Sequence, residues 1–390
     1  MSRWNRRTVT SLVAAIGIAA IGIPGLAFAQ QATPVASPIG APMEAPPPPA
    51  GVEVVATGLM NPRGMAVGAD GAIYVAEAGV GGDGPCAIGP EGNEECYGLS
   101  GGVTRIADGG QQRIVDNLGS RAGEGGFQAT GPNDVGLAGD TVYVLIGLGG
   151  DPATRVDLDA GSDQLGFLFR VENGEAVSVA DIAGYETAEN PDAGAFDANP
   201  YGLEMREDGS ALIVDAGMNA LLQFGADGTL STLAVFPNVN TPGPDGSEIP
   251  MNAVPTSVIT ALDGSYRVGQ LTGFPFPPGG ANVFSVPAAG GEPVVDQDGF
   301  TNIVDIALGP DGSLYVLEFN AGGILSIDPA NPATLAGRLT RILPDGSRQE
   351  IAGAGLNAPT GLAVDAAGNV YVAVYGVVGD MGQVWKFAAA

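Results

Sequence analysis

The stretch Asn61–Gly79, NPRGMAVGADGAIYVAEAG, decides the fold. It reads as two short apolar strands, Met65–Val67 and Ile73–Ala76, joined by a tight turn at Asp70-Gly71. Asp-Gly between alternating apolar residues is a strong hairpin signal, because glycine tolerates the positive φ such turns need. A lone hairpin cannot bury its own face, so its recurrence decides the architecture.

The unit occurs six times: at Asn61–Gly79, Gly131–Gly147, Asn199–Gly217, Val254–Gly273, Asn302–Asn320 and Ala358–Gly376. Proline holds the second place in five copies (Pro62, Pro132, Pro200, Pro255 and Pro359), and Ile303 in the other. Five copies are followed by a second hairpin, beginning near Gly101, Gly166, Asn219, Ala281 and Gly337. The sixth, GQVWKFAAA from Gly382, stops after one strand. Gly51–Leu59, GVEVVATGL, reads as an outermost strand with no blade before it. Four strands per unit and six units predict an all-β, six-bladed β-propeller, its last blade closed by the N-terminal strand. Such closure hides the sheet edges that an open array would expose.

Upstream, Arg3, Arg6 and Arg7 precede a mild apolar run, Ser11–Ile23, and Ala27-Phe28-Ala29 fits a small-x-small cleavage site before Gln30. This predicts a signal peptide over 1–29, too short in its apolar part to span a bilayer. Arg6-Arg7 also fits a twin-arginine signal. Residues 30–50 are Pro/Ala-rich and read as an extended linker before a propeller at 51–390. An exported protein, extracellular, cell-surface or periplasmic, with no membrane span after leader removal, is expected.

Composition agrees: 63 Gly and 30 Pro suit many short strands and turns, and the net charge of −28 excludes nucleic acid as a partner. The chain has no histidine, which excludes Ser-His-Asp and Cys-His catalysis and imidazole-ligated metals. What remains is oxygen chemistry, suited to hard cations such as Ca²⁺ or Mg²⁺. Cys86 and Cys96 lie in a Gly-rich insert of blade 1 and, in an exported chain, are expected to form a disulfide. A redox-active pair is the sharper alternative, though the spacing is not C-x-x-C.

The repeat register locates candidate ligands. Seven residues after the turn Asp stand Glu77, Asp215, Gln270 and Glu318; nine before it stand Asn61, Asn199 and Asn302. Three alternate blades therefore offer an Asn and a carboxylate to one channel mouth, where Arg63, Asn133, Asp134 and Asp305 are also placed. Glu77, Asn199, Asp215, Asn302 and Glu318 form the candidate metal set. The plainer alternative is that Asn and Asp cap turns at strand starts. The inserts Gly79–Gly101 (Asp83, Glu91, Glu94, Glu95) and Gly147–Gly166 (Asp151, Asp157, Asp159, Asp163) read as solvated rim loops with some capacity for Ca²⁺.

The run VEVVATGLMNPRGMAVGADGAIYVAEAGVGGDGPC, followed by CYG, TRIADGG and GPNDV, resembles the ScyD/ScyE family of exported bacterial propellers. That family takes its name from genes in the cluster for the pigment scytonemin. The resemblance covers nearly all of Gly51–Phe387 and implies an export signal and a propeller related to NHL and SMP-30-like repeats. It brings no catalytic residues. Two readings follow: a non-catalytic module binding a small molecule, carbohydrate or extracytoplasmic protein, or a divalent-metal-dependent lactonase of the SMP-30/gluconolactonase type.

Overall fold

A computed structural model describes residues 47–389, apart from 90–92, 159–163, 244–245 and 329–330. The expected leader, most of the linker, and Glu91, Asp159 and Asp163 lie outside the described residues.

The six repeats form six blades. Blade 1 runs outward through Pro62–Val67, Ile73–Glu77, Glu94–Ala107 and Gly110–Ala122. Blade 2 comprises Pro132–Ala138, Thr141–Ile146, Phe167–Glu172 and Glu175–Asp181. Blades 3, 4 and 5 begin on Pro200–Met205, Pro255–Thr260 and Ile303–Leu308, and each adds three further antiparallel strands. Blade 6 takes Gly361–Val364, Val370–Val374 and Gly382–Phe387 from the C-terminus and Glu53–Leu59 from the N-terminus. Glu53 pairs with Lys386 and Leu59 with Gly382, so the expected ring closure is present.

The turns explain themselves. Asp70 Oδ1 accepts the Ala72 N–H at 3.0 Å, and Gly71 takes φ +80°. The same device recurs with Asp208, Asp263 and Asp311, each accepting an N–H from the serine two residues on. The aspartate side chain mimics a turn carbonyl while glycine occupies the left-handed step.

Packing is between blades. Val144, Ile146, Ile213 and Leu222 join blades 2 and 3, while Phe319, Leu339, Val372 and Trp385 join blades 5 and 6. Trp385 is fully buried, edge-on to Tyr375 at 6.1 Å. Large side chains in such sites are worth about 3–5 kcal/mol against alanine.

Two expectations are corrected. The insert Gly79–Gly101 is not only a solvated rim loop: Cys86–Ile88 pairs with Glu94–Ala107, making blade 1 a five-stranded sheet. The Gly147–Gly166 insert buries Leu148, Leu158 and Leu165 in the blade 2–3 core, so apolar residues anchor it. An α-helix, Ile182–Glu189, and a hairpin of Val239–Pro242 with Glu248–Met251 lie outside the repeat. Among the described residues no helix is long and apolar enough to cross a membrane.

Candidate functional site

All first strands run in the same direction around the axis, so equal repeat positions form layers. The third position holds Arg63, Asn133, Tyr201, Thr256, Val304 and Thr360, every one of them buried. This layer fills the channel. Three of its polar members donate to neighbouring backbone: Asn133 to Pro200 O at 2.8 Å, Thr256 to Ile303 O at 2.9 Å and Thr360 to Pro62 O at 2.7 Å. Arg63 donates to the Ala129 carbonyl at 2.8 Å and to that of Gly376, and its burial lowers its pKa from the ordinary value.

The fourth position holds Gly64, Asp134, Gly202, Ser257, Asp305 and Gly361. From this layer toward the hairpin turns, the channel widens into a cavity of about 350 Å³. Its walls include Met65, Ile259, Leu308 and Leu362, and its acids are Asp134, Glu204 and Asp305. Blades 2 and 5 stand three steps apart in a ring of six, so Asp134 and Asp305 approach from opposite sides. Each is held the same way. Asp134 accepts the Val135 N–H at 2.8 Å and, from the next blade, that of Leu203 at 2.7 Å. Asp305 accepts Ile306 N–H at 2.8 Å and Leu362 N–H at 2.7 Å, also from the next blade.

Burial, and then the Asp305 charge, push Asp134 well above the usual carboxylate range. Burial pushes Asp305 up to about 7, against the opposing pull of its two backbone N–H bonds. Burial raises Glu204 as well, and pushes the Tyr201 phenol beneath them to about 12. Ser257 Oγ, buried in the same layer, has no hydrogen-bond partner among the described residues. An apolar-walled cavity with a few converging acceptors is the ordinary form of a small-molecule site.

The remaining candidates sit at the other face, where the first strands begin. Glu77 accepts Met60 N–H at 2.7 Å and Thr104 Oγ1 at 2.5 Å, and pairs with Arg113 at 3.2 Å. Glu318 accepts Thr301 N–H at 2.7 Å and pairs with Arg338 through contacts of 2.5 and 2.6 Å. Asp215 accepts the N–H groups of Asn199, Gly217 and Met218 at 2.8–3.0 Å through one oxygen. Gln270 accepts from both nitrogens of Asn282. These groups brace the chain as it enters each blade. Asn61 and Asn302 occupy the left-handed region, φ +50° and +53°, and donate to the carbonyls of Gly79 and Leu271. Asparagine adopts that conformation at low cost. Asn199 Oδ1 takes a long 3.4 Å contact from Asn133. The structure thus brings Asp134 and Asp305 together in one cavity and distributes the Asn–carboxylate set among separate blade braces.

Cys86 and Cys96 are bonded to each other, as expected. Beside them is an open groove of about 560 Å³, lined by Asp83, Glu124 and Asp380 among others. Its acids are solvent-exposed.

Neither a family model nor a curated protein matches the chain. Solved structures do. The PQQ-bound aldose sugar dehydrogenase of Streptomyces coelicolor is similar at TM-score 0.51 and 14% identity, over 87% of this chain and 99% of its own. A putative oxidoreductase (glucose dehydrogenase) of Thermus thermophilus is similar at TM-score 0.50 and 16% identity, over 86% and 98%. A protein of unknown function from Bacteroides thetaiotaomicron is similar at TM-score 0.51 and 10% identity, over 86% and 75%. At such identities the likeness shows the β-propeller fold and nothing finer.

Proposed function

We propose that this chain is an exported, non-catalytic β-propeller of the ScyD/ScyE type that binds a small polyhydroxylated molecule, a carbohydrate, in the cavity between Asp134 and Asp305. The observation that carries the reading is the pair itself. Two carboxylates enter one cavity from opposite blades, each pinned by two backbone N–H groups that leave its outer lone pairs directed at whatever enters. Fixed carboxyl groups, which accept from hydroxyls and when protonated also donate to them, match vicinal hydroxyls, and the apolar strands around them match the faces of a sugar ring.

A lactonase reading asks for a divalent ion among Glu77, Asn199, Asp215, Asn302 and Glu318. Two of those acids already carry arginine counter-ions, which favours binding over hydrolysis. Export is supported by the Cys86–Cys96 bond, which belongs in an oxidising compartment.

The test is calorimetric titration of the protein with a panel of neutral mono- and oligosaccharides, repeated on an Asp134→Asn/Asp305→Asn variant. Saturable binding by the wild type and its loss in the variant are expected. Lactone hydrolysis dependent on added Ca²⁺ or Mg²⁺, or sugar binding indifferent to the double substitution, would overturn the reading.

A further inference from the structure

The cavity that holds Asp134 and Asp305 is not equally polar all round. Blades 2, 3 and 5 each bring one carboxyl group to it, Asp134, Glu204 and Asp305, and blade 4 brings Ser257. Blades 6 and 1 bring apolar side chains alone, Met65 and Leu362 among them. A ring bound there meets polar groups along most of its edge and hydrocarbon on the remaining flank.

The acids of this cavity have no cation of their own. Three buried glutamates of the blade strands do: Glu77 pairs with Arg113 at 3.2 Å, Glu95 with Arg121 at 2.8 Å and Glu318 with Arg338 at 2.5 Å. Among the described residues that line the cavity there is no arginine or lysine. Arg63, in the layer beneath, is bonded to the carbonyls of Ala129 and Gly376. Arg206, two residues from Glu204, lies over the Tyr266 ring, donates to its phenol oxygen at 2.9 Å and is a minor influence on Glu204. Burial raises the pKa of all three acids, and the Asp305 charge raises Asp134 further. A positive charge placed among them reverses that shift.

Ser257 is a second and independent sign of a ligand. It is 4% exposed, and its Oγ, on the cavity wall, has no hydrogen-bond partner among the described residues. A buried hydroxyl left so costs stability. A hydroxyl or amine of a ligand satisfies it, since a serine oxygen both donates and accepts.

We propose, on the footing that this cavity is the sugar site, that it selects an amino sugar: a polyhydroxylated ring whose primary ammonium group sits among Asp134, Glu204 and Asp305 while a hydroxyl pairs with Ser257 Oγ. A neutral sugar offers hydroxyls to the acids and leaves their charge buried. An ammonium offers three donors and the missing charge together. The carboxyl groups need not share one small shell, because a ring in a cavity of about 350 Å³ brings its ammonium to one of them and its hydroxyls to the others. Its C–H face then lies against Met65 and Leu362. The same charge turns away anionic sugars such as uronic acids and sugar phosphates.

The experiment is calorimetric titration near pH 7.5 in about 150 mM NaCl, which screens the loose attraction of any cation to a chain of net charge −28. The probes are glucose, its 2-, 3- and 6-amino derivatives, and the N-acetyl form of each amine. Acetylation removes the charge and glucose keeps the size, so the comparison is made on the wild type and needs no variant. At least one amine should bind about tenfold or more tighter than both its N-acetyl form and glucose, the size of one hydrogen bond to a charged group. Glu204→Gln should narrow that gap, and Ser257→Ala should weaken amine and glucose alike. Asp134→Asn/Asp305→Asn should lose both. Equal affinity for amines, N-acetyl forms and glucose, all lost in the double variant, would overturn the ammonium and leave the sugar site standing. Amine binding that the double variant retains would overturn the proposal as well. No saturable binding of any probe would remove the sugar reading along with it.

Discussion

Arg338 stands directly across the sheet from Glu318, its Nε 2.5 Å from Oε2, and Glu318 is wholly buried. The pair closes the start of blade 5, since the same carboxylate also holds the Thr301 N–H. Removing the arginine strands a buried charge. Arg338→Ala should therefore cost about 2–4 kcal/mol, short of a fully enclosed pair because the guanidinium is one-third exposed. Adding Glu318→Gln should restore part of the loss, which urea unfolding of the three variants would measure. Equal stability of Arg338→Ala and wild type would refute the bracing role.

The ring closes on non-consecutive strands, with Val54 beside Trp385 and Thr57 beside Gln383. Deleting residues 51–57 should expose the outer edge of Gly382–Phe387 and lower the melting temperature by roughly 10 °C or more. A truncated chain that melts with the full one would show that the strand decorates the ring and does not close it.

The propeller was legible because its signals are local and repeated. Asp-Gly turns, apolar alternation and second-place prolines recur in register, and a count of strands reveals the one shared between the termini. The disulfide was legible for similar reasons. The site was only half legible. Repeat counting aligned Asp134 with Asp305, but it assigned them to the face where the first strands begin. The buried layer of Arg63 and Tyr201 places them beyond it, and that depth depends on side-chain volume, which counting does not weigh. The same counting made Glu77, Asp215 and Glu318 equivalent. Their difference lies in Arg113, Ala220 and Arg338, on other strands.

The Cys86–Cys96 bond joins two short paired segments across a sequence separation of 10. Closing so small a loop restricts the unfolded chain by about 2–3 kcal/mol. Protein from an oxidising compartment should show no free thiol before reduction, and reduction should lower stability by about that amount. Cys86→Ser/Cys96→Ser should match the reduced protein. Thiol labelling of unreduced protein is the contrary result.

Asp305 retains its proton in the folded state to about pH 7, whereas the unfolded chain releases it near the ordinary value of 3.8. Between those limits the folded state binds more protons, so stability falls as pH rises through the window and levels off above it. The protein should therefore melt higher at pH 5 than at pH 8. Asp305→Asn should shrink that difference, because it removes one of the acids whose folded pKa is raised. A pH profile identical to the wild type would mean that the cavity is wetter than its geometry indicates.

Gly64 faces Asp134 from the neighbouring blade so closely that a Cβ there would stand 2.0 Å from Oδ1 and 2.5 Å from Cγ. It would also come within 3.1 Å of the Asn133 carbonyl, so the backbone cannot simply recede. Gly64→Ala must push Oδ1 away, and with it the bond that oxygen accepts from Val135 N–H, now 2.8 Å long. The cost should be about 1–3 kcal/mol, from crowding and from one buried donor left without its acceptor. The consequence for function follows from the same displacement. Asp134 would no longer oppose Asp305 at the mouth of the cavity, so sugar binding should be lost at temperatures where the variant remains folded. Titrating Gly64→Ala with the sugar that the wild type binds checks this: retained sugar affinity would show that the Asp134–Asp305 pair does not hold the ligand.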